Sequence, residues 1–184
     1  MTHFILIRHG ETDWNVERRY QGQSDIPLNE RGRRQSYELI SLLAVRKPSM
    51  IYCSDLSRAS ETAEILSSEL SVPFTRDPRL REIHLGSWEG MLLQEIQAKY
   101  SELLLLRKQD PHIVSAPGGE TLIQVQSRVL AAIEDIRKIH QNESVAIISH
   151  GLPLAIVQAW HEGRRIEEVW DLIPENCLLI ELEI

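Results

Sequence analysis

Two histidines stand where apolar runs end, and their surroundings suggest phosphoryl chemistry. Arg8-His9-Gly10-Glu11-Thr12 follows the run Phe4-Ile5-Leu6-Ile7, and His150-Gly151 follows the run SVAIIS that begins at Ser144. A neutral imidazole can attack phosphorus directly, forming a phosphoramidate that hydrolyses more readily than the starting ester. The group in transfer spreads negative charge over its equatorial oxygens, so such a site needs cationic donors around them. Arg8 and Arg58 are planar forks that match phosphate geometry. A protonated His150 adds a further donor. Gly10 and Gly151 keep side chains out of the space beside each histidine and permit unusual backbone angles. The reaction also needs an acid for the leaving alkoxide and then a base for water. Glu82, in Leu80-Arg81-Glu82 ahead of Gly86, suits both, because a neighbouring phosphate dianion disfavours the carboxylate form.

These groups meet only if the right elements carry them. The run at residues 4–7 reads as a buried strand delivering polar residues at its carboxyl end. Asn29 can cap a helix to about Val45 that turns Leu39, Ile40, Leu42 and Leu43 inward, and Pro48 closes it. Residues 49–54 read as a second strand, and Asp55 opens a helix through Glu69 with Arg58 in its first turn. Residues 72–75 suggest a short third strand. About residues 91–117 begin helical and turn irregular around Pro111 and Pro117, which marks a lid-like insertion over a site. Thr121 to Gln124 has capping-box spacing and starts a helix to about Gln141. A strand over 144–149, a helix over 151–160 with Pro153 in its first turn, and a closing strand over 177–183 complete the chain. Alternating strands and helices imply an α/β layered fold with a largely parallel sheet, whose site lies at the strands' carboxyl ends. His9, His150 and Arg58 then converge on one edge.

Composition sets limits. The 184 residues suit one compact domain, with no repeat or linker to divide them. Hydrophobic residues at 42% and charged residues at 26% fit an ordinary globular protein. A net charge of −7 argues against nucleic-acid binding, which needs a cationic surface, and makes any phosphate site a local concentration of positive charge. Cys53 and Cys177 offer neither a disulfide framework nor metal-ligand spacing, and their apolar neighbours suggest buried thiols. No apolar stretch approaches the roughly 20 residues of a membrane span, and the start of the chain lacks a basic leader, so the cytoplasm is the expected location.

Four blocks in order, RHGETDWN (8–15), SDLSRASETA (54–63), LREIHLGSWEG (80–90) and SHG (149–151), closely resemble the histidine phosphatase superfamily, also called phosphoglycerate-mutase-like. The resemblance covers essentially the whole chain. RHG alone is a weak signal, whereas the four blocks in sequence are specific. It implies a three-layer α/β/α sandwich with a mostly parallel central sheet. It also implies that His9 is the phosphorylated nucleophile, Glu82 the proton donor, and Arg8, Arg58 and His150 the phosphate pocket. Asn15 matches a phosphate-contacting asparagine; Gln21 and Gly22, with Gly151, match positions that line the substrate. Phosphatase members of the family imply no metal or organic cofactor. The expected partner is a small phosphate monoester, and a homodimer is left open.

The resemblance also includes cofactor-dependent phosphoglycerate mutases and non-catalytic phosphoester-binding proteins. Mutases carry an arginine directly after the catalytic glutamate, where this chain has Ile83, and they are longer, with a C-terminal tail beyond the last strand. Non-catalytic members normally lose the nucleophile or the acid, and His9 and Glu82 are both present. The expectation is therefore a phosphatase. One departure bears on substrate choice: Leu152-Pro153-Leu154-Ala155 is apolar where many relatives have a basic residue soon after SHG. An apolar lid (Leu92, Leu93, Ile96, residues 103–106) suggests broad or partly hydrophobic specificity.

Other polar residues have plainer readings. Arg18, Arg19, Arg31, Arg33 and Arg34 read as solvated faces, and Glu11 and Asp13 as loop-fixing groups. His3, His112, His140 and His161 read as surface or packing residues, while His84 divides between lining the pocket and a structural hydrogen bond. Arg107 and Lys108 read as solvated rather than substrate-facing. Trp88 should pack under the site, and Trp160 and Trp170 against the terminal helix and loop.

Overall fold

The computed structural model describes residues 1–184, the side chain of Lys108 excepted. The sequence expectation for Lys108 therefore lies outside the described residues. Strands β1 (His3–Arg8), β2 (Met50–Cys53), β3 (Phe74–Arg76), β4 (Ser144–Ser149) and β5 (Leu179–Glu183) form one sheet in the order β3-β2-β4-β1-β5. All pairings are parallel except that of β5, which runs antiparallel to β1 at one edge. The helices are α1 (Asp13–Val16), α2 (Glu30–Ala44), α3 (Ser57–Leu70), α4 (Leu93–Gln109), α5 (Leu122–Ile139) and α6 (Gly151–His161).

The central strands are apolar on both faces because both faces are covered. In β1, Phe4 and Leu6 point to one side and Ile5 and Ile7 to the other, and all four are fully buried. Phe4 and Leu6 join Val145 and Ile147 in a core completed by α5 and α6, through residues such as Val129, Ile133 and Ile156. Ile5 and Ile7 join Ile51, Ala146 and Ile148 against α2 and α3, through Leu39, Leu43, Ala59 and Leu66. That is the expected three-layer sandwich. Burying each Ile or Leu contributes roughly 2 kcal/mol, so the central strands anchor the sheet edge that carries the polar residues.

Local rules hold in most places and fail informatively in others. The Asn29 side chain accepts from the Gly32 N–H at 2.8 Å and caps α2, and the Thr121–Gln124 capping box starts α5. Leu42, expected inside, is half exposed; the inner line of α2 is Leu39 and Leu43. Asp55 does not cap α3. Leu56 holds the N-cap position without a side-chain bond of its own, the Ser57 N–H donates to Asp25 Oδ1 at 2.7 Å, and the Asp55 carboxylate accepts from Arg81 at 2.7 and 2.5 Å. The last strand begins at Leu179 rather than at 177, since Cys177 adopts a left-handed φ of 58° and donates its N–H to the Arg8 carbonyl. Cys53 is buried as expected, whereas Cys177 is only partly so.

The stretch from 91 is more helical than expected. Helix α4 runs to Gln109 with a kink at Tyr100, and irregular chain follows. Of its apolar residues, Ile96 is in the core, Leu103 and Leu104 pack partly against it, and Leu93, Leu105 and Leu106 are exposed. Trp88 is fully buried; Trp160, expected to pack, is nearly half exposed. Among the described residues, no helix is long and apolar enough to cross a membrane.

Candidate active site

The register of β1 against β4 builds the site. Arg8 lies opposite Ser149, so the next residue on each strand, His9 and His150, leaves the sheet at the same level. The His9 N–H donates to the Ser149 carbonyl at 3.0 Å, and the two ring centroids are 5.1 Å apart. Gly10 is needed for a reason other than open space beside the histidine: a Cβ there would lie 2.5 Å from the Gly32 carbonyl oxygen at the start of α2. At Gly151 a Cβ would meet Ile173 at 2.8 Å. Behind the loop, the buried Thr62 hydroxyl accepts from the Gly10 N–H.

The His9 ring is oriented by its own loop. Nδ1 lies 2.7 Å from the Gly10 carbonyl oxygen, a contact that requires the proton on Nδ1 and leaves the lone pair on Nε2. Burial holds His9 well below the ordinary histidine range, and Arg58 and Arg8 push the same way, so the ring is neutral at pH 7. His150 is fully buried, with no hydrogen-bond partner for either ring nitrogen among the described residues. Burial first, then Arg58, His9 and Arg8, depress it as well.

The arginines are fixed by backbone carbonyls, which spend some donors and leave others. Arg8 donates through Nη1 to the Pro174 carbonyl at 2.7 Å. Arg58, almost fully buried in the first turn of α3, donates to the Ser24 and Gly22 carbonyls at 2.8 Å each. The Nε of each guanidinium is buried without a partner among the described residues. Burial brings Arg58 down to about 10 and lowers Arg8, with Glu82 opposing the shift in both cases. Two desolvated cations, an unpartnered imidazole and the N-terminus of α6 thus surround one region. A bound oxyanion would offset the cost of burying them.

That region is a cavity of about 280 Å³. Arg8, His9, Asn15, Gln21, Gly22, Arg58, Glu82 and Gly151 line it, and His150 sits against His9. All nine residues singled out from the sequence are therefore brought together. Asn15 uses its side-chain oxygen in a capping box with Thr12, which leaves Nδ2 free to donate. Gly22 takes a φ of 54°, and a Cβ there would lie 2.3 Å from a Glu89 oxygen; its carbonyl, turned to Arg58, is its contribution. Gln21 presents a buried side-chain oxygen without a partner among the described residues.

Glu82 is held by a frame that sequence reasoning did not find. Its Oε1 accepts from the Ile83 N–H at 2.9 Å, and its Oε2 lies 3.4 Å from the Leu152 N–H at the start of α6. Arg128, on α5, donates to the carbonyls of Arg79, Arg81 and Glu82 and pairs with Glu120 through two bonds of 2.8 and 2.9 Å. Glu89 gathers the N–H groups of Gln23 and Leu85 and the Ser24 hydroxyl, joining the two loops that flank the cavity. Asn176 donates to the His9 carbonyl at 2.9 Å. No local sequence signal marks Arg128 or Asn176, which lie 46 and 167 positions from the groups they bind.

Several plainer readings change. Arg18, Arg19 and Arg107 line the cavity rather than only facing solvent, and Trp170 and Ile173 close it on another side. His84 turns away, with Nδ1 at 2.9 Å from the Gly118 carbonyl, in the structural role. Glu11 fixes its loop through Asn29 and Arg31. The apolar stretch after His150 is buried inside α6, which explains the lack of a basic residue there. Among the described residues, no cluster of histidine, cysteine or carboxylate side chains has metal-binding geometry.

Comparison with known proteins agrees with this geometry. A phosphoserine phosphatase 1 from Hydrogenobacter thermophilus is 35% identical over 177 residues, covering 96% of this chain and 84% of the relative. The "Probable phosphoglycerate mutase GpmB" of Salmonella paratyphi C is 35% identical over 174 residues, covering 89% and 80%. A mycobacterial glucosyl-3-phosphoglycerate phosphatase, solved with VO3, superposes with a TM-score of 0.89 at 29% identity, covering 98% of this chain and 90% of that one. The profile of the histidine phosphatase superfamily (branch 1) matches residues 4–184, and the chain belongs to that superfamily.

Proposed function

We propose that this chain is a metal-independent phosphatase that hydrolyses small phosphate monoesters through a phosphohistidine on His9. The observation that carries the reading is the His9–Gly10 hydrogen bond, which leaves Nε2 as a neutral nucleophile in a cavity bounded by Arg8 and Arg58. In the first half-reaction the Nε2 lone pair attacks phosphorus, the ester P–O bond breaks, and protonated Glu82 gives its proton to the leaving alkoxide. The phosphorylated ring becomes cationic, and the Gly10 carbonyl stabilises its Nδ1–H. In the second half-reaction water attacks phosphorus, the P–N bond breaks, and the Glu82 carboxylate takes the water proton. Arg8, Arg58, His150 and the Asn15 amide bind the oxygens throughout, and Gln21, Gly22 and Gly151 shape the space beside them.

The mutase reading draws on the likeness to GpmB. Against it stands Ile83, a buried apolar residue directly after the glutamate, at the wall of the cavity. The phosphatase reading also draws support from the printed activities of the Hydrogenobacter and mycobacterial proteins. Rapid quenching with a labelled, reactive phosphoester should place the label on His9. An unlabelled wild type, or equal labelling of His9→Asn, would overturn the enzyme reading. With 3-phosphoglycerate, inorganic phosphate should accumulate; predominant isomerisation would establish a mutase instead.

A further inference from the structure

Arg58 is aimed by a segment that belongs to no strand or helix. Its Nη1 and Nη2 donate to the Ser24 and Gly22 carbonyls at 2.8 Å each. Both carbonyls sit in the turn that the Ser24 N–H closes on the Gln21 carbonyl at 3.1 Å, and the chain stays irregular as far as α2. Such a segment has few ladder or helix bonds of its own, so something else must fix the two acceptors. Glu89 does so. Its Oε1 accepts from the Gln23 N–H at 2.9 Å and the Leu85 N–H at 3.0 Å, and its Oε2 accepts from the Ser24 hydroxyl at 2.7 Å. The side chain is only 14% exposed, and among the described residues its one ion-pair contact is the His84 ring at 3.8 Å.

Burying a carboxyl group in a protein of net charge −7 is costly unless its oxygens find donors, and here three donors reach them. The Gln23 N–H and the Gly22 carbonyl belong to one planar trans peptide, so they point in opposite directions. By holding the N–H, Glu89 turns the carbonyl toward Arg58. The Ser24 hydroxyl ties the residue of the second carbonyl to the same carboxyl group. With both acceptors fixed, the Arg58 Nε–H and the second hydrogen of each Nη are left for an oxyanion in the cavity. Glu89 itself is not part of the cavity lining, so its influence passes through Arg58.

We propose that Glu89 is a positioning residue: through the Gln23 peptide and Ser24 it sets the Arg58 fork at the geometry that binds the phosphoryl oxygens. The inference rests on the phosphatase reading for what Arg58 holds, and adds to it a residue that never touches substrate. The oxygen that holds Gln23 also holds Leu85, three positions after Glu82, and the Gln23 side chain donates to the Glu82 carbonyl at 3.0 Å. The anion-binding arginine and the acid thereby share one frame.

The test measures vanadate binding by calorimetry, with urea unfolding to establish that each variant is folded. Glu89→Ala should raise the Kd roughly tenfold or more, since misplacing a group by about 1 Å costs on the order of 10²-fold. Glu89→Gln, whose side-chain oxygen can still accept both N–H groups, should recover most of that affinity. Ser24→Ala removes one of the three bonds and should weaken vanadate roughly threefold. Combined with Arg58→Lys, which keeps the charge but cannot span two carbonyls, Glu89→Ala and Ser24→Ala should each add less than about twofold. A folded Glu89→Ala with unchanged Kd, or equal losses with and without Arg58→Lys, overturns the proposal. If Glu89→Ala does not fold, Ser24→Ala decides it by the same two comparisons. A wild type that binds vanadate but forms no phosphohistidine defeats the phosphatase reading, while these comparisons still decide the part played by Glu89. A wild type that binds no vanadate defeats both.

Discussion

The two buried histidines make the stability of the free protein depend on pH in a way that can be calculated. Both rings are depressed well below 6.5 by burial and by the arginines, whereas in the unfolded chain they titrate near that value. Between the folded and unfolded values the unfolded chain binds the extra protons, so stability rises with pH and is lost as pH falls below 6.5. Each proton contributes about 1.4 kcal/mol per pH unit, and the pair up to about 2.7. For rings that stay neutral, lowering the pH from about 6.5 to about 5 costs roughly 3 kcal/mol, a large share of a typical domain's stability. In urea unfolding this is a fall in midpoint of about 1 M. Asp55, held low by Arg81, and Glu120, held low by Arg128 in spite of its burial, lose their stabilising share only as pH drops further. The decisive comparison is with His150→Asn, which removes one of the two groups and should roughly halve the slope. Saturating vanadate should also flatten it, because an anion beside the rings favours their protonated forms. Parallel slopes in wild type and variant, or a flat wild-type profile over this range, would refute the argument.

Two further outcomes concern the acid and its frame. Glu82→Gln should reduce kcat by roughly 10²- to 10⁴-fold on an alkyl phosphate and far less on a p-nitrophenyl ester, whose leaving group needs no proton; equal losses on both would rule out proton donation. Arg128→Met removes the donor that holds three carbonyls and Glu120. It should cost about 2–4 kcal/mol in denaturant unfolding and lower kcat more than it raises KM, with phosphohistidine still forming from a reactive ester.

Much of this protein was legible from local pattern. The apolar runs ending in His9 and His150 read as buried strands because both faces of a central parallel strand are covered, and a covered strand has no polar side. Asn29 and Thr121 mark helix starts because a cap is satisfied within three residues. At α3 the partners are distant instead: the Ser57 amide donates to Asp25, and the Asp55 carboxylate pairs with Arg81. Cys177 likewise turned on a neighbour, the Arg8 carbonyl, that no window of sequence contains.

The sequence by itself determined which residues sit at the strand ends, since chain order and periodicity place them there. It also determined, through the blocks around Arg8, Arg58, Glu82 and His150, the chemistry they can perform. Tertiary structure alone decided the protonation and the positioning. The His9 ring is neutral because burial and two arginines surround it, and its lone pair lies on Nε2 because Gly10 turns a carbonyl toward Nδ1. Glu82 holds its place because Arg128, far along the chain, binds the carbonyls around it. Arg107 faces the cavity because the fold brings Trp88 and Trp170 to either of its contacts. Desolvation and long-range hydrogen bonding depend on what arrives from elsewhere in the chain, and only the folded molecule specifies that.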